Sequence, residues 1–242
     1  MYGVKNNYGS SGSLSRGEIA IKNKFCVFIS YFLLLVFISG EASASPIRGV
    51  PVKKGMLRVA LTIDDGPKEN YTEELLAVLR EKNVKATFFL LGIDIVLRPD
   101  DVKKIADDGH LIGNHSMTHG NLKKMSFDEV CAELDDCSNL LESITGVRPR
   151  FMRPPGGQYN TAVLKACEAE KLIPVFWTNN PGDYDEEKWK TAEALSRQVI
   201  KLRRNGDIIL LHMGLPLTVE ALPMIIDSYR DAGYTFVTMD DL

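Results

Sequence analysis

The stretch Leu61-Thr62-Ile63-Asp64-Asp65-Gly66-Pro67, "LTIDDGP", closes an apolar run that opens at Arg58 as "RVALTI". The run has the shape of a buried strand, yet it ends in two adjacent carboxylates. Asp is a poor strand residue, and neighbouring carboxylates repel each other unless something positive lies beside them. A turn built on Asp65-Gly66-Pro67 accounts for one Asp and leaves the other unexplained.

Beyond this stretch, apolar runs alternate with amphipathic ones. The strand candidates are "RVALTI", "KATFFLL" (Lys85 to Leu91), "LIGN" (Leu111 to Asn114), "RFMR" (Arg150 to Arg153), "IPVFW" (Ile173 to Trp177), "DIILLH" (Asp207 to His212) and "TFVTM" (Thr235 to Met239). Between them, "YTEELLAVLREKN" is apolar at helical spacing. "SFDEVCAELDDCSNLLESITG" opens with Ser126 and Glu129 in capping-box spacing and stops at Gly146, and "AEALSRQVIKLRRNG" stops at Gly206 in the same manner. Alternation of this kind predicts an α/β fold with a mostly parallel sheet, open or closed into a barrel, whose ligand lies at the carboxyl ends of the strands. Polar residues gather at those ends: Asp64-Asp65, His115, Arg153, Asn179-Asn180 and His212.

The first residues read differently. Asn6 to Gly17 is rich in Gly, Ser and Asn, so residues 1–24 read as a disordered leader. Lys22 and Lys24 precede "FCVFISYFLLLVFI" (Phe25 to Ile38) and then "SGEASAS", a positive start, a short apolar core and an Ala-x-Ala site ending at Ala44. Residues 25–44 are therefore expected to be a signal peptide or an uncleaved anchor, 45–57 a linker and 58–242 the domain. Either way the domain is exported, and membrane contact is expected only if the segment stays uncleaved. Cutting after Ala44 removes four basic residues (Lys5, Arg16, Lys22, Lys24) and two acidic ones (Glu18, Glu41) from totals of 29 and 32. That leaves 25 against 30, a net charge of −5. Mild acidity favours neither nucleic acid nor an anionic membrane surface. Cys131, Cys137 and Cys167 are too few and too oddly numbered for a disulfide framework and are expected as free thiols. A monomer is the default expectation.

Two of the four histidines lie in "NHSMTHG" as His115 and His119. An H-x-x-x-H spacing puts both imidazoles on one face of a helical turn. With a carboxylate from a neighbouring strand end, the set becomes two His and one Asp with a position left for water, the pattern of a catalytic metal. Zinc is the natural ion; cobalt, nickel, iron and manganese also suit such ligands.

"TIDDGP", "HSMTH", "RPPGG", "WTNNPGDY" and "IILLH", in this order and spacing, resemble the five motifs of the NodB-homology polysaccharide deacetylases, carbohydrate esterase family 4. The resemblance runs from about Arg58 to the closing "GYTFVTMDDL". It implies a distorted seven-stranded (β/α) barrel and metal-dependent removal of N-acetyl groups from a polysaccharide containing N-acetylglucosamine: peptidoglycan, chitin or an exopolysaccharide. It implies Asp64 as general base and Asp65, His115 and His119 as the ligands of one divalent metal. Arg153 would hold Asp64 ionised, with the pair Asp64-Asp65 pointing apart on extended backbone. His212 would be the general acid, kept cationic by Asp183. The Gly156 N–H would face the oxyanion, and Leu210 and Tyr184 would wall the acetyl methyl pocket. Three positions depart from the pattern: Gly156 stands where an aromatic is usual, Asn180 where Asp is usual and Tyr184 where Trp is usual. Asn180 is expected to alter the charge near Arg153. Trp177 and His110 are expected to be structural. Two other readings remain open, a catalytically weak carbohydrate-binding relative and an amidase of the same fold with a non-sugar substrate.

Overall fold

The computed structural model describes residues 45–242, so the leader and the apolar segment lie outside the described residues. Seven parallel strands form one sheet: β1 (Leu57–Asp64), β2 (Thr87–Leu90), β3 (Leu111–Asn114), β4 (Phe151–Met152), β5 (Ile173–Pro174), β6 (Asp207–His212) and β7 (Tyr234–Val237). Helices α1 (Tyr71–Glu81), α2 (Gly92–Leu97), α3 (Pro99–Asp107), α4 (Phe127–Thr145), α5 (Thr161–Ala169), α6 (Ala192–Lys201) and α7 (Pro216–Asp231) alternate with them.

The strand order is β5-β4-β3-β2-β1-β6. β1 pairs with β6 from Val59 to Asp64, and its other edge is shared by β7 at Leu57–Ala60 and β2 from Thr62 to Asp64. A bridge between Asn179 and Ile209 joins the continuation of β5 to β6 and closes the circle. This is the distorted seven-stranded barrel expected from the sequence, with β4 and β5 reduced to two residues each.

Period-two alternation sorts the strand residues. Val59, Leu61 and Ile63 pack outward against the helices, while Ala60 joins Phe89, Phe151, Val175 and Ile208 inside the barrel. Thr62 and Asp64 share the Ala60 face, so they stand on top of that inner cluster.

Two sequence expectations are corrected at this level. Residues 45–57 are more than a linker. Ile47 bridges Val175, its N–H reaches the Pro174 carbonyl, the Val50 N–H reaches the Gly206 carbonyl, and Val50 is buried in the inner cluster. The strap thus crosses from β5 to the start of β6, where the short β5 leaves the seam unpaired. α6 ends at Lys201, well before Gly206, which adopts φ 87° in the following turn. α4 does carry the expected caps, a Ser126–Glu129 capping box and a left-handed Gly146. Cys131, Cys137 and Cys167 are free among the described residues. Among the described residues no helix is long and apolar enough to cross a membrane.

Candidate active site

The polar residues expected at the strand ends do converge. Asp64 ends β1, His115 follows β3, Arg153 follows β4 and His212 ends β6.

Asp64 is buried, and its Oδ1 accepts from Arg153 Nη1 at 2.6 Å. Arg153 has no solvent exposure. Its Nη1 also donates to Thr62 Oγ1 at 2.8 Å, and its guanidinium lies 4.3 Å from the Phe89 ring centre. Burial pulls its pKa below the usual arginine value, with the charge of Asp64 and its hydrogen bond opposing. Buried cations of this kind persist only when paired. Asp64 is the partner.

Asp65 does not lie on extended backbone; its φ is 68°. The two acids diverge because the chain turns left-handed between them, one facing Arg153 and the other the histidines. Asp65 Oδ1 lies 3.7 Å from His115 Nε2 and 3.6 Å from His119 Nε2, and one ligand atom from each of the three residues lies within 4.8 Å of the others. The helical turn read from H-x-x-x-H is also corrected. Residues 115–119 form an irregular bend in which Ser116 (φ 70°) and His119 (φ 62°) are left-handed, and this brings the two rings to 5.2 Å.

The residues fit a divalent cation. Asp65 Oδ1 is a buried carboxylate oxygen without a hydrogen-bond partner among the described residues, a costly state that a cation relieves. His115 Nδ1–H donates to the Arg153 carbonyl at 2.7 Å, which fixes the tautomer and turns the Nε2 lone pair toward Asp65. Burial lowers the His115 pKa against the pull of Asp64 and Asp65, favouring the neutral form that binds metals.

On the opposite side, His212 Nδ1–H donates to Asp183 Oδ1 at 2.8 Å. Asp183 Oδ2 accepts the His212 N–H at 2.7 Å and the Thr218 hydroxyl at 2.8 Å. Burial works to lower the His212 pKa, but the hydrogen bond and charge of Asp183, with Asp64 and Asp65 beyond it, raise it overall. Its free Nε2 therefore carries a proton more readily than an isolated imidazole.

The polysaccharide deacetylase family model matches residues 52–172. A peptidoglycan-N-acetylglucosamine deacetylase of Bacillus cereus is 36% identical over 188 residues, which cover 76% of this chain and 67% of that one. The chain belongs to the polysaccharide deacetylase family. It is a hydrolase of carbohydrate esterase family 4. PgdA of Listeria monocytogenes, a peptidoglycan-N-acetylglucosamine deacetylase, is 34% identical over 83% of this chain and 42% of its own length, so the chain spans less than half of that relative. Among solved structures, a peptidoglycan N-acetylglucosamine deacetylase bound to an N-oxidanyl-benzamide compound superposes with TM-score 0.75. It is 34% identical over 81% of this chain and 92% of that one. A family 4 pseudoenzyme from Bacillus anthracis superposes equally well, TM-score 0.75, at 29% identity over 82% and 69%. Fold alone therefore does not separate active from inactive members, and the residues must do so.

The chain keeps the acid pair, the two histidines and Arg153 in one cluster and the Asp183–His212 pair beside it, with Asp64 and His212 as register partners of β1 and β6. Its departures are local. Gly156 is exposed with space beside it for a Cβ, but its φ of 58° is left-handed backbone that favours glycine. Its N–H has no recorded partner among the described residues. Asn180 makes no hydrogen bond to Arg153; its Oδ1 accepts the Gly182 N–H at 2.8 Å, and Arg153 Nη2 is left without a partner among the described residues. Tyr184 is 60% exposed and meets the His212 ring edge-on at 5.3 Å, while Leu210 is buried two residues before His212 on the same strand face.

Trp177 is half-buried and packs against the inner cluster, with its ring 5.7 Å from the Arg153 guanidinium. His110 is structural as expected: its Nδ1 accepts the Ala86 N–H, its ring packs edge-on to Phe88, and burial lowers its pKa to about 4. Sequence reasoning missed Thr62 and Thr218. The first sits two residues before Asp64, where alternation could have placed it; the second reaches Asp183 from α7, with no local signal.

Proposed function

We propose that this chain removes N-acetyl groups from N-acetylglucosamine units of peptidoglycan outside the cytoplasm, with one divalent metal held by Asp65, His115 and His119. One observation carries the reading: a cation site, an Arg153-held carboxylate and an Asp183-held imidazole stand at neighbouring strand ends, Asp64 and His212 being register partners of β1 and β6. The relatives named for peptidoglycan support the polymer, and that polymer lies outside the cytoplasm, in keeping with the expected signal peptide.

Zinc suits the donor set best, and when bound it supplies charge stabilisation for the acetamide oxygen and lowers the pKa of water. Asp64 then accepts the proton of the attacking water. Its Oδ1 is tied to Arg153, and its Oδ2 lies 3.8 Å from His115 Nε2, on the side of the ligand set. The Gly156 N–H offers a donor to the oxygen as charge develops. His212 Nε2 protonates the departing amine while Asp183 stabilises the imidazolium. Leu210 and Tyr184 flank the space beside His212 where the acetyl methyl would sit.

Acetate release from peptidoglycan, chitin oligomers and an acetylated exopolysaccharide, measured with and without chelator, tests the reading. Release from peptidoglycan, abolished by chelator and restored by zinc, is expected. Saccharide binding without acetate release by metal-loaded protein would establish the binding-relative reading instead.

A further inference from the structure

His119 is an unusual ligand position: its side chain is 46% exposed and its backbone is left-handed. A non-glycine residue in that region costs about 1 kcal/mol or more unless neighbouring bonds impose it. The bonds that impose it can be traced.

The His115 N–H is accepted by Leu90, the Ser116 N–H by Asn114 Oδ1, and the His119 N–H by Ser116 Oγ. The carbonyls of Ser116 and Met117 accept from Gly92 and Ile93 at the start of α2. Gly92 allows this approach, since a Cβ there would lie 2.1 Å from the Met117 sulfur and 2.9 Å from its Cα.

The remaining side-chain tether comes from α4. Glu133 receives two bonds from Thr118, the residue before the ligand: Oε2 from its N–H at 2.9 Å and Oε1 from its hydroxyl at 2.7 Å. One turn on, the same helix holds Asn114, whose Nδ2 donates to the Leu134 carbonyl and to Ser138 Oγ. α4 contributes no ligand and touches no reacting atom in this scheme. It grips the ligand-bearing bend at both ends.

We propose that Glu133 is a positioning residue that sets metal affinity by holding Thr118, and through it His119, in the geometry of the site. The inference rests on the metal reading above. A bidentate carboxylate fixes both the peptide plane and the side chain of Thr118. Without it residues 117–119 relax, His119 leaves its left-handed conformation, and one of the three ligands leaves the cluster. Loss of an outer partner bonded directly to a ligand typically weakens metal binding about 10–100-fold; Glu133 acts one residue removed, so its loss is expected at the low end, about 10-fold.

The test uses the metal-stripped full chain titrated with Zn²⁺ against a chromophoric chelator, and with Co²⁺ by its absorption spectrum. Glu133→Ala should bind Zn²⁺ about 10-fold more weakly and give an altered Co²⁺ spectrum. Thr118→Ser, which keeps both donors, should match the parent. Asp135→Ala is the control, because it removes an α4 ion pair with Arg148 that has no path to the bend. It should change stability without changing affinity. Affinity within ~2-fold of the parent for Glu133→Ala, or an equal loss for Asp135→Ala, would overturn the proposal, since a shell residue is expected to exceed that margin. A parent chain that binds neither ion would instead remove the metal reading itself.

Discussion

Asp64 offers its two oxygens to two different neighbours, and the chemistry follows from that division. Oδ1 is held by the buried Arg153, while Oδ2 faces the ligand histidine at 3.8 Å. Asp64→Asn should keep the metal and lower kcat by about 10²–10⁴-fold, the usual range for a lost general base. His212→Ala should do the same, whereas His119→Ala should lose the metal first. Metal content by emission spectroscopy, read beside acetate release, separates these outcomes. A His212→Ala protein stripped of metal would show that the roles are misassigned. His212 also sets a pH limb. In the proposed role it works protonated, and its folded pKa is raised, so activity should hold at lower pH and fall as pH climbs through a value above the ordinary ~6.5. The stability it lends follows the same sign: fully present below the unfolded pKa and lost as pH rises through the folded one. Asp183→Asn removes the hydrogen-bonded charge and leaves burial opposed only by the more distant Asp64 and Asp65, so the basic limb of kcat/KM should move toward lower pH. An unmoved limb would mean that another group governs it.

At the scale of elements, the barrel depends on a piece of chain that reads as a linker. Val50 is 4% exposed inside the inner cluster, whereas Val52, two residues on, is 59% exposed. Burying a Val side chain is worth about 1.5–3 kcal/mol, and removing part of it should lower the thermal midpoint by about 2–4 °C per kcal/mol in a domain of this size. Val50→Ala should therefore melt several degrees lower and Val52→Ala should not. Equal midpoints by calorimetry would mean that the strap does not seal the seam. The strap was illegible in the sequence because its partners, Val175 and Gly206, lie far along the chain and its own residues do not alternate. The seven strands were legible because apolar runs between amphipathic ones report burial directly. The site was half legible. Residue types at strand ends gave its membership, but left-handed backbone at Asp65, Ser116 and His119 leaves no periodic trace, so the turn geometry was misread in both motifs. The α6 terminus was misplaced for a related reason, since Gly206 serves the turn into β6 rather than a helix cap.

For the whole molecule, the site is a cost that a ligand offsets. Asp64, Asp65 and two imidazoles are brought together at the end of a closed barrel. Arg153 compensates Asp64, while Asp65 Oδ1 has no hydrogen-bond partner among the described residues. A cation that binds the native cluster and not the unfolded chain stabilises by RT ln(1 + [L]/Kd), about 2.7 kcal/mol at a hundredfold excess over Kd. At about 2–4 °C per kcal/mol, zinc should raise the melting temperature by about 5–10 °C over the chelated protein. The increment should depend on zinc concentration, which distinguishes binding from a general salt effect. It should also divide the variants by role. His119→Ala and Asp65→Ala lose a ligand and should lose most of the increment. His212→Ala and Asp64→Asn keep the ligand set and should retain it although both are slow enzymes. Calorimetry at several zinc concentrations reads this directly and needs no substrate. A full increment in His119→Ala, with none in His212→Ala, would place the cation on the Asp183–His212 side and reverse the assignment of the two halves of the site.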